Sequence, residues 1–326
     1  MENERRALVT GGAGYIGSHA VFALLEAGWR VAVIDDLSTG HRAAVSPEAG
    51  FFTGDVGQMS VIAGVLAQFR PSAVLHFAGS IVVPESVADP LKYYGNNTCA
   101  TRTLLAACID AGVRDFIFSS TAAVYGQPAE VPIGEDVPTR PINPYGASKL
   151  VIEWMLRDLA AAGAGLRYVA LRYFNVAGAD PKGRTGQATK AATHLIKVAC
   201  EAVVGKRAFI EVYGNDYPTA DGTCVRDYVH VADLADAHVA ALDYLRNGGA
   251  NAVFNCGYGT GYSVREVVDV VKRFGRLEVR QAPRRPGDPP ALIADPARLR
   301  SQTGWRPRHA DLGAIVESAL AWERTL

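Results

Sequence analysis

Short apolar runs alternate with helix-period stretches through the first half of the chain. The runs are apolar at almost every position, and they cover residues 7–10, 31–34, 51–53, 73–77, 116–118 and 168–171. Helix-period stretches lie between most of them, at residues 18–27, 58–69, 91–111 and 144–162. Strands that are apolar on both faces and separated by helices indicate a parallel sheet that is covered on both sides. Because such crossovers are right-handed, the pattern predicts a doubly wound α/β fold.

The pattern becomes looser after about residue 176. Segments rich in Gly, Asp, Thr and Pro lie at 178–187, 213–224 and 283–290, and helices are predicted near 193–204, 231–246 and 263–274. We interpret this part as a smaller, partly interleaved C-terminal α/β domain. The first domain is expected to cover residues 1–176 and about 226–257, and the second to cover residues 177–225 and 258–326.

The composition is that of a folded protein without a nucleic-acid or membrane partner. The chain has 326 residues, of which 49% are hydrophobic and 20% charged, so disorder is excluded as its main state. Lys plus Arg and Asp plus Glu both number 33, and a nucleic-acid binder would be expected to show a basic excess. No stretch approaches the roughly 18 uninterrupted apolar residues that a membrane-spanning helix needs.

The cysteines and the N-terminal residues favour a cytoplasmic protein. Residues 1–6 mix both charges and lead into a short apolar run, unlike a secretory signal or a transit peptide. The five cysteines are scattered and form no C-x-x-C pair, which is typical of reduced thiols. We therefore expect no structural disulfide and no metal site.

A glycine-rich turn follows the first predicted strand and opens the first helix. Residues 11–17, GGAGYIG, contain G-x-G-x-x-G with Gly12, Gly14 and Gly17. Glycines at these positions permit a tight turn, let the backbone approach a pyrophosphate and allow the helix to pack on the strand. The helix N-terminus adds free N–H groups and about half a positive charge. This combination predicts a Rossmann domain that binds a dinucleotide.

Acidic residues at the end of the second strand indicate which dinucleotide is bound. Asp35 and Asp36 stand where a carboxylate accepts hydrogen bonds from a ribose 2′-hydroxyl and repels a 2′-phosphate, so NAD is favoured over NADP. The turns at residues 54–56 and 77–79 follow the third and fourth strands. They are predicted at the carboxyl ends of the sheet, where ligands bind in such folds.

A tyrosine and a lysine share one helix face near a run of hydroxyl side chains. Asn143 and Pro144 read as the N-cap and first residue of a helix, which places Tyr145 and Lys149 four residues apart on the same face. The strand at residues 116–118 continues into Ser-Ser-Thr, so Thr121 is expected at the same sheet edge. These side chains are the candidates for proton transfer.

With these motifs the chain resembles the extended short-chain dehydrogenases/reductases, and within them the UDP-hexose 4-epimerases. The resemblance spans nearly the whole chain. The segments that carry it are GGAGYIGSH (11–19), HFAG (76–79), ESV…P…YY…NN (85–97), FSST…VYG (118–126), NPYG.SK (143–149), LRYFN..GA (171–179), GNDYPT.DGT.VRDY.HV.DLADAH (214–238) and RR.GD (284–288).

The resemblance implies tightly held NAD, a UDP-hexose substrate bound by the second domain, and a homodimer. It implies cofactor contacts at Gly11, Gly14, Tyr15, Ile16, Gly17, Asp35, Asp36, Asp55, Val56, Phe77, Ala78, Gly79, Asn97, Tyr145 and Lys149. It implies substrate contacts at Thr121, Asn175, His194, Leu195, Tyr213, Arg226, Arg285, Asp288 and Leu292. Among these, Arg226 and Arg285 resemble diphosphate ligands, Asp288 a ribose ligand and Tyr213 a residue flanking uracil.

The implied reaction interconverts UDP-glucose and UDP-galactose at C4. Tyr145 removes the proton of the sugar 4-hydroxyl while hydride leaves C4 for NAD⁺, Thr121 hydrogen-bonds the oxygen, and the 4-keto sugar turns over before hydride returns. A tyrosine that acts as a base near pH 7 needs its pKa lowered by about three units. One nearby ammonium lowers a pKa by about one to three units. Lys149 is therefore expected to act together with the positively charged nicotinamide ring of NAD⁺ and the helix N-terminus.

Four alternatives concern the substrate or the activity itself. A UDP-pentose 4-epimerase for xylose and arabinose would use identical chemistry, and Leu292 is intermediate between residues that admit and exclude N-acetyl sugars, so UDP-GlcNAc and UDP-GalNAc stay open. A 4,6-dehydratase would carry Asp-Glu where Ala122 and Ala123 follow Thr121. A non-catalytic NAD-sensing regulator would be expected to lose Tyr145 or Lys149.

Overall fold

The computed structural model describes residues 5–189, 192–285 and 288–326. Residues 1–4, which belong to the segment used to exclude a targeting signal, lie outside this part, as does Gly287 of the last motif. Within the described ranges no helix combines the length and the apolar character that crossing a membrane requires.

Strands and helices alternate along the chain. The strands are β1 (Arg6–Thr10), β2 (Arg30–Asp35), β3 (Gly50–Thr53), β4 (Ala73–His76), β5 (Asp115–Thr121), β6 (Arg167–Tyr173), β7 (Asn175–Ala177), β8 (Ile210–Tyr213), β9 (Val225–His230), β10 (Ala252–Cys256), β11 (Gly261–Ser263), β12 (Val279–Ala282) and β13 (Ala291–Leu292). The helices are α1 (Tyr15–Glu26), α2 (Met59–Phe69), α3 (Val83–Ala88), α4 (Pro90–Tyr93), α5 (Ala100–Asp110), α6 (Pro144–Ala161), α7 (Leu195–Val203), α8 (Val231–Arg246), α9 (Val264–Lys272), α10 (Ala297–Thr303) and α11 (Leu312–Glu323).

Seven parallel strands form the main sheet, in the order β10-β6-β5-β4-β1-β2-β3. The chain first builds outward from β1 through β2 to β3, and then returns to the other side of β1 to add β4, β5 and β6. The predicted doubly wound fold is therefore confirmed. Ligands bind in such sheets at the carboxyl ends of the strands on either side of this reversal, which lies between β1 and β4.

Side chains of successive strand residues enter two separate apolar layers. Leu8 and Val9 are adjacent on β1 and fully buried, and they point to opposite faces of the sheet. Val9 belongs to a core that includes α1 and α8, whereas Leu8 belongs to a core that includes α2, α5 and α6. This burial on both faces explains why the strands read as continuous apolar runs.

The later part of the chain adds two small sheets and one strand of the main sheet. Strands β7, β11 and β13 pair with β9, and β8 pairs with β12. Between them the chain contributes α8, which packs on α1, and β10, which extends the main sheet next to β6. The chain thus re-enters the first domain between segments of the second, as the predicted interleaving of the two domains requires. The domain boundaries themselves stay a prediction.

Two helix boundaries differ from the sequence expectation. The helix predicted over residues 91–111 is interrupted, because a π-helical turn at Tyr94–Cys99 separates α4 from α5. Such turns are frequent at functional sites, and this one contains Asn97. The first helix begins at Tyr15 and not near residue 18, because the glycines that hide the helical pattern lead directly into its first turn.

Candidate active site

The glycine turn between β1 and α1 packs tightly against the end of β4. Gly11 has a φ of +68°, and a Cβ on it would lie 2.5 Å from the backbone nitrogen of Ala78. Gly14 is the N-cap of α1 and gives that helix no side-chain cap, so the first N–H groups of α1 stay open to an anion. The residues around this turn therefore fit a pyrophosphate.

The two acids at the end of β2 have different surroundings. Asp35 is only 7% exposed, and its carboxylate accepts hydrogen bonds from the backbone N–H of Ala13 (2.9 Å) and of Leu37 (2.9 Å). Burial raises the pKa of Asp35, and these two hydrogen bonds act in the opposite direction. Asp36 is exposed and accepts hydrogen bonds from the backbone and hydroxyl of Ser38. Asp35 is thus the acid that is fixed beside the glycine turn.

The turns after β3 and β4 bring further predicted cofactor residues to the same edge of the sheet. Asp55 accepts a hydrogen bond from the Gly57 N–H (2.7 Å), and Val56 is buried. Phe77 and Ala78 follow β4, and Gly79 has a φ of +151°, with its Cβ position 2.8 Å from the Asn97 side-chain oxygen. A larger residue at Gly79 would therefore collide with Asn97.

Asn97 connects three parts of this edge through its side chain. Its Oδ1 accepts a hydrogen bond from the Ser80 N–H (2.7 Å), and its Nδ2 donates to the carbonyl of Ser80 (3.0 Å) and to the hydroxyl of Ser148 (3.0 Å). Because Ser148 precedes Lys149 on α6, Asn97 connects the turn after β4 to the start of α6.

Tyr145 and Lys149 lie at the buried start of α6. The side chain of Asn143 accepts a hydrogen bond from the Gly146 N–H (2.9 Å), so the predicted cap is confirmed. The Tyr145 phenol lies near the hydroxyl of Thr121 at the end of β5, close enough for that hydroxyl to lower the pKa of Tyr145. The Lys149 ammonium donates to the carbonyl of Ser119 (3.0 Å) on the same strand.

The surroundings of Tyr145 and Lys149 shift the pKa of each side chain. Burial raises this pKa above the ordinary value for a phenol, and the hydrogen bond from Thr121 offsets part of the rise. Burial also lowers the pKa of Lys149, to about 8, because a low dielectric disfavours each charged form. The protein groups by themselves thus leave the pKa of Tyr145 above its ordinary value, and the expected joint action of Lys149, the nicotinamide ring of NAD⁺ and the helix N-terminus stays a prediction. A further positive charge beside Tyr145 would have to supply the acidity.

Four predicted UDP contacts come together on the small sheets. The guanidinium of Arg285 lies 3.7 Å from the centre of the Tyr213 ring, and Arg226 lies 3.7 Å from a carboxylate oxygen of Asp288. Leu292 on β13 is opposite Arg226 on β9 in the strand register. The backbone N–H of Asp288 donates to the carbonyl of Arg285 (3.4 Å), which connects the two pairs. These guanidinium groups, the carboxylate and the aromatic ring suit phosphate, ribose and a base.

The other three predicted substrate contacts line one cleft. They are Asn175 at the start of β7 and His194 and Leu195 at the start of α7. His194 Nδ1 is 3.1 Å from the side-chain nitrogen of Gln187, and burial lowers the pKa of His194. His194 therefore offers a neutral ring to this cleft at pH 7.

Some predicted cofactor residues also hold the fold together. The Tyr15 hydroxyl donates to the carbonyl of Gly178 (2.6 Å), so its side chain joins α1 to the loop after β7. Tyr15 and Ile16 both lie in the first turn of α1, where their backbone N–H groups can contact a pyrophosphate.

Sequence reasoning missed two residues near Tyr145 and Lys149. The ring of Tyr93 packs edge-to-face on Tyr145 at 6.4 Å, and its hydroxyl donates to the carbonyl of Val82 (2.6 Å). Tyr93 is one of two adjacent tyrosines, and no sequence pattern separates it from the exposed Tyr94. The second residue, Glu153, lies one turn after Lys149 on α6. Its spacing of four residues from Lys149 was the sequence pattern that could have identified it.

Fold and site together define a dinucleotide-binding α/β protein with a Tyr-Lys pair at the cofactor edge. The profile of the NAD dependent epimerase/dehydratase family matches residues 7–257, and the chain belongs to this family. The predicted Rossmann fold, the NAD-dependent class and the epimerase assignment are confirmed at this level.

Individual relatives narrow the assignment within the family. The UDP-glucose 4-epimerase of Azospirillum brasilense is 59% identical over 98% of this chain and 92% of its own length. The crystal structure of UDP-glucose 4-epimerase from Brucella ovis in complex with NAD has a TM-score of 0.94 and 47% identity, and covers 97% of this chain and 98% of that one. The enzyme from Bifidobacterium longum, in complex with NAD⁺ and UDP, has a TM-score of 0.93 and 38% identity, with 98% of each chain covered. The chain is thus grouped with the UDP-glucose 4-epimerases.

Proposed function

We propose that the chain interconverts UDP-glucose and UDP-galactose by epimerisation at C4 through a 4-keto intermediate. The observation that carries the proposal is the placement of Thr121 at the end of β5 and of Tyr145 and Lys149 at the start of α6, at the sheet edge that also holds the glycine turn. The grouping with UDP-glucose 4-epimerases supports the same reaction.

The cofactor is proposed to lie across the carboxyl edge between β1 and β4. The pyrophosphate would contact the backbone at residues 11–17, and Asp35 would bind a ribose; Asp36, Asp55, Val56, residues 77–79, Asn97, Tyr145 and Lys149 would make the other contacts. When bound, NAD supplies a hydride acceptor and, in its oxidised form, a positive charge.

Within the chain, proton transfer at the sugar 4-oxygen is assigned to Tyr145. The Tyr145 oxygen removes the hydroxyl proton and later returns it, and the Thr121 hydroxyl hydrogen-bonds the same sugar oxygen. Lys149 holds its ammonium beside the carbonyl of Ser119, where it binds the cofactor and favours the anionic form of the phenol.

Binding energy is proposed to come mainly from the nucleotide. Arg226 and Arg285 bind the diphosphate, Asp288 the ribose and Tyr213 the uracil, while Asn175, His194 and Leu195 line the neighbouring cleft. Holding the remote nucleotide leaves the hexose free to turn and present both faces of C4, which a tightly bound sugar could not do. This arrangement favours the two-domain division at the boundaries predicted above.

We also propose a cytoplasmic homodimer. Trp154 on α6 is 47% exposed, and Val87 on α3 and Leu91 on α4 are 64% and 80% exposed on elements that pack against α6. Exposed apolar side chains of this size favour an interface. All five cysteines are free, which suits a reducing compartment. Sedimentation of the wild type and of Trp154→Arg tests the dimer, and a monomeric wild type would contradict it.

The activity is tested by incubating the purified protein, without added cofactor, with UDP-galactose, UDP-GlcNAc and UDP-xylose separately. We expect anomeric NMR signals of UDP-glucose to appear in the first incubation. Conversion of UDP-xylose in preference would establish the pentose alternative, and no conversion of any sugar would reject the epimerase proposal.

A paired substitution tests the role of Tyr145. Tyr145→Phe should abolish conversion and retain NAD, whereas Tyr244→Phe on α8 should convert at the wild-type rate. Conversion by Tyr145→Phe would remove that phenol from its proposed role.

A further inference from the structure

Glu153 is a buried carboxylate on the same helix face as the catalytic pair. It follows Lys149 by four residues and Tyr145 by eight on α6, so the three side chains form one stripe. Its side chain is 5% exposed. The carboxylate accepts hydrogen bonds from the Ser120 hydroxyl (2.5 Å) and from Nε (3.0 Å) and Nη2 (2.6 Å) of Arg172.

The partners of Glu153 lie on the two central strands beside the site. Ser120 on β5 is opposite Arg172 on β6 in the parallel register. Arg172 also donates from Nη1 to the Tyr125 hydroxyl (2.9 Å), which in turn donates to the Asn255 side chain (2.7 Å) on β10. One continuous buried network therefore joins α6 to three strands of the main sheet.

This network encloses Thr121, the residue whose hydroxyl lowers the pKa of Tyr145. Ser120 immediately precedes Thr121, and Tyr125 ends the short 3-10 turn Ala122–Tyr125 that follows it. The hydroxyl of Thr121 also accepts a hydrogen bond from the Ala123 N–H (3.1 Å), which orients it within that turn. Both sides of Thr121 are thus held by groups that connect to Glu153.

A buried ion pair is a weak source of stability, because removing two charges from water offsets most of their attraction. Apolar residues of similar size would often stabilise the same space at least as well. The Glu153–Arg172 pair does, however, constrain the alignment of α6 with β5 and β6, since each of its hydrogen bonds has a preferred direction. This alignment sets how close Tyr145 at the start of α6 lies to Thr121 at the end of β5.

We infer that Glu153 is a positioning residue for the reaction. It contacts no reacting atom; it fixes α6 against Ser120 and Arg172 so that the oxygen of Tyr145 stays within reach of Thr121 and of the sugar oxygen. This inference rests on the proposed function, in which Tyr145 and Thr121 act together.

The first experiment compares Glu153→Gln with the wild type in UDP-galactose turnover. A displacement of about 1 Å between reacting groups can lower a rate by about 100-fold, so we expect kcat to fall by about 10- to 100-fold. KM for UDP-galactose and the amount of retained NAD should stay within about twofold, because the contacts proposed for UDP and NAD lie elsewhere.

The matched control is the ion pair at the other end of the same two strands. Asp115 begins β5 and pairs with Arg167, which begins β6, at 2.5 Å. Asp115→Asn removes a buried charge from the same strands at the amino edge of the sheet. Asp115→Asn should lower Tm by about as much as Glu153→Gln does, and it should leave kcat unchanged. An equal fall of kcat in both variants would reduce Glu153 to a structural role and overturn the inference.

A second readout follows the chemical step directly. With substrate deuterated at C4, the isotope effect on kcat should increase in Glu153→Gln, because misalignment slows the proton and hydride step relative to binding and release. An unchanged kcat and isotope effect would overturn the inference. Should Glu153→Gln not fold, Ser120→Ala removes one hydrogen bond of the network and should change kcat in the same direction by a smaller factor.

A structural measurement separates this inference from the proposed function. In crystals of Glu153→Gln the distance between the Tyr145 and Thr121 oxygens should increase, and in Asp115→Asn it should not. An inactive wild type would reject the proposed function and leave this comparison intact. An unchanged Tyr145–Thr121 distance would overturn the positioning role, whatever the reaction.

Discussion

The guanidinium of Arg285 lies 3.7 Å from the centre of the Tyr213 ring. The parallel pair β8–β12 creates this contact, because Tyr213 ends β8 opposite Ala282 at the end of β12, shortly before Arg285. A guanidinium over an aromatic face is held in place while its N–H edge can still bind an anion. The contact therefore joins the proposed uracil and diphosphate ligands into one unit.

Loss of this unit should weaken nucleotide binding. Arg285→Ala is expected to raise KM for UDP-galactose by about 10- to 100-fold, since a hydrogen bond to a charged group contributes about 1.5–3 kcal/mol. The neighbouring Arg284 lies over the ring of Tyr217 and pairs with Asp216, so Arg284→Ala is the matched control with a KM near the wild-type value. Steady-state kinetics decide the matter, and equal KM values for both variants would contradict the assignment.

The size of residue 292 should decide which sugars are accepted. Leu292 packs beside a buried apolar cluster that includes Tyr125 and Phe174, close to the turn after Thr121. Leu292→Ala makes room, and we expect the rate ratio of UDP-GlcNAc to UDP-galactose to rise by about 10-fold or more, whereas Leu292→Tyr should lower it. Leu292→Met conserves volume and is the control. Ratios that do not depend on side-chain size would exclude Leu292 from substrate selection.

The Thr121 hydroxyl should control the acidity of Tyr145. It is the protein group that lowers the pKa of Tyr145, so Thr121→Val should raise that pKa further and move the acidic limb of the kcat–pH profile to higher pH. The same loss should reduce kcat by about 10- to 100-fold. Thr121→Ser keeps the hydroxyl and should restore both. Profiles recorded for the three proteins provide the check, and an acidic limb that stays in place in Thr121→Val would refute the prediction.

Buried histidines should make the protein sensitive to mild acid. Burial lowers the pKa of four histidines well below the free value of 6.5: His19, His230 and His238 to about 4, and His76 to about 3. Because the unfolded chain then binds more protons between about pH 4 and 6.5, the free energy of unfolding must fall as pH drops through that range. Near pH 5 the unfolded chain binds up to about four more protons at these histidines than the folded chain. Each of these protons changes the free energy of unfolding by about 1.4 kcal/mol per pH unit.

One substitution isolates a single histidine from this total. His76 lies between the hydroxyls of Thr10 (2.6 Å) and Thr101 (2.7 Å), and His76→Gln keeps a neutral hydrogen-bonding side chain there. Urea unfolding at several pH values should give a slope smaller by about one proton in this variant. Identical slopes would show that His76 is protonated in the folded state.

Local patterns were sufficient to predict the elements around the cofactor. The glycine turn, Asp35 at the end of β2 and the Asn143 cap of α6 are each encoded by residues that are close in sequence, and the structure has all three where expected. The start of α1 and the π-helical turn at Tyr94–Cys99 were not predictable in this way. Glycine hides a helical pattern, and a π turn is fixed by side chains such as Asn97 that bind distant elements.

The sequence by itself determined the first six strands, most of the helices between them, the fold class and the identity of the candidate groups, because hydrophobic periodicity, capping and turn chemistry act over a few residues. It did not predict β7 to β13, which pair with distant segments of the chain. Only the tertiary structure decided the pKa shifts of these groups and which distant residues each of them contacts. Burial raised the pKa of Tyr145 although a lysine stands four residues away, and strand pairing brought Arg285 to Tyr213 and Glu153 to Arg172. Desolvation and contacts between distant segments depend on how the whole chain packs, and no local pattern contains them.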